Sequence, residues 1–192
     1  MQNNYIIGVL GKKGSGKTHL VTSCLAAIDR YIVVDTLHEY PGAVFENYAS
    51  VVCFLDEMRD NHFAIVYRPL SDDDLEKFFT IINDINNYTL VVEEIDFYCD
   101  PQNIHPEIDN LTRYGRHYGR SLIWVSRNPY EVNRFLTRQS DLLITFVQSE
   151  PRDLDYFKRY SFDKDIQNLK QYEYSMWGDI QLFTTIFKKN ST

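Results

Sequence analysis

The chain has 192 residues, 44% of them hydrophobic and 15% aromatic, enough to bury one sizeable core. A formal net charge of −7 excludes a uniformly basic surface of the kind that coats nucleic acid, and no apolar run approaches the ~20 residues of a membrane-spanning helix. Cys24, Cys53 and Cys99 stand far apart, and His19, His38, His62, His105 and His117 include no pair at metal-ligand spacing, so neither a disulfide framework nor a transition-metal site is expected.

Taken in order, apolar β-rich runs alternate with helix-period stretches. Tyr5 to Leu10 reads as a strand, and a helix is expected from Lys17 to Asp29. A second strand is expected at Tyr31 to Asp35, a weaker one near Val51, and another at Phe63 to Tyr67. Ser71 followed by Asp72, Asp73 and Asp74 is a helix N-cap with acids in the first turn, so this acidic run predicts a helix over Ser71 to Asn86 and not a metal site. Further strands are expected at Thr89 to Glu93, Ser121 to Ser126 and Leu142 to Val147. Between and after them, helices are expected at Pro106 to Tyr118, Glu131 to Arg138 and Arg152 to Tyr160. Gln171 to Trp177 and Ile180 to Lys188 are β-rich and flank Gly178-Asp179, which suggests a closing hairpin. The strands are rich in Val, Ile and Leu, as strands buried on both faces must be. The fold class is therefore α/β: a mostly parallel sheet covered by helices on both faces, plus a C-terminal β-hairpin. One domain is expected over residues 1–192, with a core at about 5–160 and a C-terminal helix and hairpin at about 161–190. The polar start Met1-Gln2-Asn3-Asn4 has no signal-peptide features, which sets the expectation of a cytoplasmic location.

Gly11-Lys12-Lys13-Gly14-Ser15-Gly16-Lys17-Thr18 fits the pattern G-x-x-x-x-G-K-[ST], between a strand and a helix, which is the context of a P-loop NTPase. Its glycines let backbone N–H groups and the positive end of the next helix face phosphate oxygens. Gly11, Lys12, Lys13, Gly14, Ser15, Gly16, Lys17, Thr18 and His19 are the expected nucleotide contacts, with Lys17 on the β and γ phosphates and the Thr18 hydroxyl on magnesium. The strand Tyr88 to Val92 ends in Glu93-Glu94, a Walker B arrangement in which Glu93 holds magnesium and Glu94 is the base that orients the attacking water. The expected cofactors are ATP and Mg2+.

Residues 113 to 138 carry six arginines against one acid, Glu131, a formal +5 in an acidic chain. A cation set against the transferring phosphoryl group, often from a neighbouring subunit, lowers the barrier to hydrolysis. By spacing alone Arg113, Arg116 and Arg120 are equal candidates, at the edge of the catalytic face.

The order of these parts resembles the HerA/FtsK superfamily of ring-forming DNA-pumping ATPases: a P-loop, a Glu-Glu Walker B, then Arg116-His117-Tyr118-Gly119 before a strand ending Ser126-Arg127-Asn128-Pro129. It is most similar to the compact genome-packaging ATPases of tailless, membrane-containing icosahedral viruses, over residues 5 to about 160. The resemblance implies that Arg116 acts in trans on a neighbour's nucleotide. It also implies a homo-oligomeric ring, hexamer or pentamer, acting on double-stranded DNA at a capsid packaging vertex, in the host cytoplasm or associated with the virion. In two places the chain departs from the superfamily, with Glu93 where Asp is usual and Arg127 where a phosphate-sensing Gln is common. Competing classes are a small-molecule (nucleotide) kinase, a phage assembly or secretion ATPase not acting on DNA, and a non-hydrolysing interaction module. An Asn-Lys-x-Asp guanine-reading sequence is absent.

Overall fold

A computed structural model describes residues 4–59 and 61–187. Its centre is an eight-stranded sheet in the order β3-β4-β2-β5-β6-β1-β7-β8. The strands are β1 Ile6–Leu10, β2 Arg30–Val34, β3 Ala43–Phe45, β4 Phe63–Tyr67, β5 Tyr88–Val92, β6 Arg120–Ser126, β7 Leu142–Thr145 and β8 Ser175–Gly178. All pairs are parallel except β7 with β8. Every residue of β1, β5, β6 and β7 is buried, which is why these strands read as largely apolar runs and not as an alternation.

Alternate residues feed two cores. Ile6, Leu10, Leu122 and Trp124 face one layer with α2 Tyr48–Glu57, α3 Asp72–Ile82, α4 Pro106–Tyr114, α5 Arg134–Gln139 and α6 Pro151–Phe157. Ile7, Val9, Ile123 and Val125 face the other, with α1 Lys17–Leu25 and α7 Ile180–Phe187. Gly8 faces the buried Trp124 ring, whose edge fills the place a Cβ would take. The indole Nε1–H of Trp124 donates to Ser140 Oγ at 3.0 Å, so the largest core side chain is buried with its polar atom satisfied.

The acidic run at Asp72 lies in the first turn of α3, with Ser71 Oγ accepting from Asp74 N–H, a cap as expected. Two expectations are corrected. The weak strand near Val51 is helix α2: Asn47 caps it, its Oδ1 accepting from Ser50 N–H at 3.2 Å, and Val51 and Leu55 bury one turn apart. The closing hairpin is absent too, because only its first arm forms a strand. β8 pairs with β7, while the second arm is helix α7, started by Asp179 Oδ1 accepting from the N–H groups of Gln181 and Leu182. Leu182, Phe183 and Ile186 then fall on one buried face packed with α1. Lys188, the last residue of the expected hairpin, lies outside the described residues.

Candidate functional site

The C-terminal ends of β1, β6, β5 and β2 lie side by side, and every expected acid and the glycine-rich loop emerge there. After Leu10 the loop turns through Gly14 (φ 74°) and Gly16 (φ 117°), conformations that favour glycine. At Gly16 space is a second constraint, since a Cβ would sit 2.7 Å from Tyr172 Cδ1. Helix α1 then begins with no side-chain cap and no acid in its first turn, unlike α3. Its positive end therefore has no acid or cap within the helix itself to answer it. Lys17 Nζ donates to the carbonyls of Gly11 at 2.7 Å and Lys12 at 3.2 Å. Burial lowers the Lys17 pKa, opposed by the nearby Glu93 and Glu94. Ser15 Oγ is buried without a hydrogen-bond partner among the described residues.

Thr18, Glu93 and Glu94 line one cavity of about 280 Å³ with Lys13, Lys17 and Glu39. Thr18 Oγ1 donates to Glu39 Oε2 at 2.8 Å. Glu93 is 2% exposed, and burial pushes its pKa up to about 7, opposed by the Tyr40 hydroxyl and Lys17. Tyr40 Oη donates to Glu93 Oε1 at 2.5 Å. Tyr40 is held in turn by Asp35, whose carboxylate accepts from the backbone N–H groups of Glu39 and Tyr40 and from Arg68 Nε at 3.0 Å. Glu94 sits at φ 48°, a left-handed conformation that costs a non-glycine residue about 1 kcal/mol or more. Its carboxylate meets Arg127 Nε at 2.8 Å, and its pKa is raised by burial, against the pull of Arg127.

A second cavity, of about 510 Å³, adjoins the first through Gly16, His19 and Tyr172 and is also lined by Leu20, Phe146 and Tyr174. The segment carrying Tyr172 is tied to the loop: Tyr172 N–H donates to Ser15 O at 3.0 Å and Gln171 Nε2 to Gly14 O at 3.3 Å. Trp177 instead packs on Tyr160, with ring centroids 4.8 Å apart. No periodicity or motif in the sequence sets Glu39, Tyr40 and Arg68 beside the acids or brings Tyr172 and Tyr174 to this cavity; the nearest signal is Asp35, a buried acid directly after β2.

No family model matches the sequence, and no curated protein matches it. Solved structures do. The genome packaging NTPase B204 from Sulfolobus turreted icosahedral virus 2, in complex with AMP, superposes with a TM-score of 0.73 at 22% identity, over 93% of this chain and 94% of that one. B204, the DNA-packaging ATPase from Sulfolobus Turreted Icosahedral Virus, gives 0.69 at 23% identity over 94% and 95%. The chain shares their α/β P-loop fold. VirB4 of Thermoanaerobacter pseudethanolicus shares it more distantly, with a TM-score of 0.57 at 13% identity over 92% of this chain and 89% of that one.

Within this P-loop fold the structure separates the three arginines that spacing left equal, and it corrects where they lie. Arg113 and Arg116 precede β6 and Arg120 is its first residue; β6 runs parallel to β1, so the segment enters at the sheet edge opposite the loop. The seven residues of β6 put about 20 Å between the two edges. Arg120 is buried, its Nε donating to Ile85 O at 2.7 Å and its Nη2 to the carbonyl of Asn83. Arg113 pairs with Asp109 at 2.8 Å and lies over the Phe135 ring. Arg116, in the 3-10 turn Gly115–Tyr118, is exposed and makes no hydrogen bond or ion pair among the described residues. None of the three reaches the loop of its own chain. Arg120→Ala strands two carbonyls and is expected to lower stability by about 1–3 kcal/mol in urea unfolding. Arg116→Ala, tested alongside, leaves the midpoint unchanged; equal losses would contradict this division of roles.

Proposed function

We propose that this chain is an ATP-hydrolysing double-stranded DNA translocase, a genome-packaging motor built as a homo-oligomeric ring. The observation that carries the hydrolase reading is the convergence on one cavity of Lys17, Thr18, Glu93 and Glu94 beside an uncapped helix start. An anion there answers the positive helix end, the Lys17 ammonium and the unpartnered Ser15 hydroxyl together. The phosphates lie along Gly11 to Thr18, with Lys17 turning from the Gly11 and Lys12 carbonyls to the β and γ oxygens. The base enters the adjoining cavity, where His19, Leu20, Phe146, Tyr172 and Tyr174 offer ring faces and apolar contact. B204 binds AMP, which favours adenine there.

Thr18 offers a hydroxyl and Glu93 and Glu39 offer carboxylates on the same cavity, oxygen donors that fit magnesium. When bound, magnesium neutralises charge on the phosphate oxygens. The buried Glu93 is held for this task by Tyr40, and Glu39 keeps the Thr18 hydroxyl oriented. Glu94 stands one residue further on and accepts the proton of the attacking water. Arg116 of one protomer meets the γ phosphate bound by the next, which agrees with its distance from its own loop.

The DNA reading rests on the likeness to B204, described as a DNA-packaging ATPase, and on exposed Arg134 and Arg138 of α5, suited to duplex phosphates inside a ring. Such a motor works in the host cytoplasm at a packaging vertex.

Phosphate release from ATP, with and without linear double-stranded DNA, tests this function. Turnover is expected to rise with DNA, and Glu94→Gln is expected to keep ATP binding while lowering kcat by about 10²–10⁴-fold. Turnover indifferent to DNA would remove the translocase, transfer to a nucleotide acceptor would make the chain a kinase, and unchanged turnover in Glu94→Gln would displace the base. Doping wild-type protein with Arg116→Ala subunits should depress activity more than in proportion to their share. A strictly proportional loss would contradict action in trans.

A further inference from the structure

The sheet order places β6 between β1 and β5, so the residue leaving the end of β6 lies between the glycine-rich loop and the paired acids. That residue is Arg127. Its backbone is pinned on the preceding residue: Ser126 O accepts from Gly11 N–H at 3.3 Å, and Ser126 Oγ donates to Asp96 Oδ1 at 2.6 Å. Its side chain is half exposed and lines the same cavity as Lys13, Lys17 and Glu94. Its one ion pair among the described residues uses Nε, at 2.8 Å from Glu94 Oε1. The terminal nitrogens make no hydrogen bond among the described residues, so they are available to a second acceptor. A fixed backbone and a half-exposed fork with its terminal nitrogens open, set on one cavity between Glu94 and the glycine-rich loop, suit an element with two positions.

Resting on the hydrolase reading, we propose that Arg127 is a positioning residue that couples Glu94 to the terminal phosphate. With no triphosphate bound, Arg127 holds the Glu94 carboxylate and occupies the oxygen that would receive a proton from water. A γ phosphate carries more charge than a carboxylate and offers three acceptor oxygens, so it draws the guanidinium away. Glu94 is then released to the attacking water. A diphosphate does not reach Arg127, and the pair stays closed. A glutamine at this position could touch phosphate but could not neutralise Glu94.

The test is a thermodynamic cycle read by calorimetry, with no turnover needed. Affinities for AMPPCP and for ADP, each with magnesium, are measured for wild type, Glu94→Gln, Arg127→Gln and the double variant. Glu94→Gln is expected to tighten AMPPCP relative to ADP by about tenfold, because the fork no longer has to leave a carboxylate. Arg127→Gln is expected to weaken AMPPCP relative to ADP by a similar factor. In the Arg127→Gln background, Glu94→Gln should bring no further tightening, and Arg127→Lys should recover part of the preference. Equal tightening in both backgrounds would mean that simple repulsion between Glu94 and phosphate is the whole effect, which overturns the coupling. An unchanged AMPPCP to ADP ratio in Arg127→Gln overturns it as well. Failure of the wild type to bind either nucleotide would sink the hydrolase reading itself, and the wild type alone reveals it.

Discussion

The parallel, in-register alignment of β1, β6 and β5 is the constraint on which the rest depends. Leu10 pairs with Ser126 and Val92 with Trp124, so the three chains leave the sheet at nearly one level. Parallel pairing brings all three departures to the same edge. An antiparallel β6 would carry Arg127 to the far edge and leave Glu94 without a counter-charge. Burial on both faces holds the alignment, since a one-residue slip of β6 would exchange Leu122 and Trp124 with Ile123 and Val125 between cores of different shape.

On that frame the structure holds a carboxylate in a place unfavourable to charge. Glu93 is buried, and a chain of contacts from Tyr40 through Asp35 to Arg68 supplies the hydrogen bonds that make its burial tolerable. The same chain fixes the 35–40 loop and sets Glu39 against Thr18. Among the described residues, three of the four non-glycine residues with positive φ, His38, Glu94 and Tyr172, lie in the segments around this site. Local strain is therefore concentrated where the charges meet, and the core strands carry none of it.

Most of this could be read before the fold was known, and the exceptions have physical causes. The core strands are legible because burial on both faces makes Val, Ile and Leu dominate them, and the loop because its glycines serve a backbone shape. Helices α2 and α7 were misread because Val51, Val52, Phe54, Thr184, Thr185 and Ile186 favour strands by composition. Packing of one face, begun by Asn47 and Asp179 as caps, overrode that preference. Arg120 and Arg116 look alike in sequence; only the crossing of the chain beside Ile85 and Asn83 locks one and leaves the other exposed. The closeness of Arg127 to Glu94 follows from strand order, which no local pattern encodes.

The decisive measurement is a crystal structure of the protein with AMPPCP and magnesium, in which the triphosphate is expected along Gly11 to Thr18, the metal facing Thr18 and Glu93, and the base beside Tyr172. A nucleotide bound elsewhere, or a metal with Glu93 turned away from it, would contradict the assignment of this sheet edge as the catalytic site.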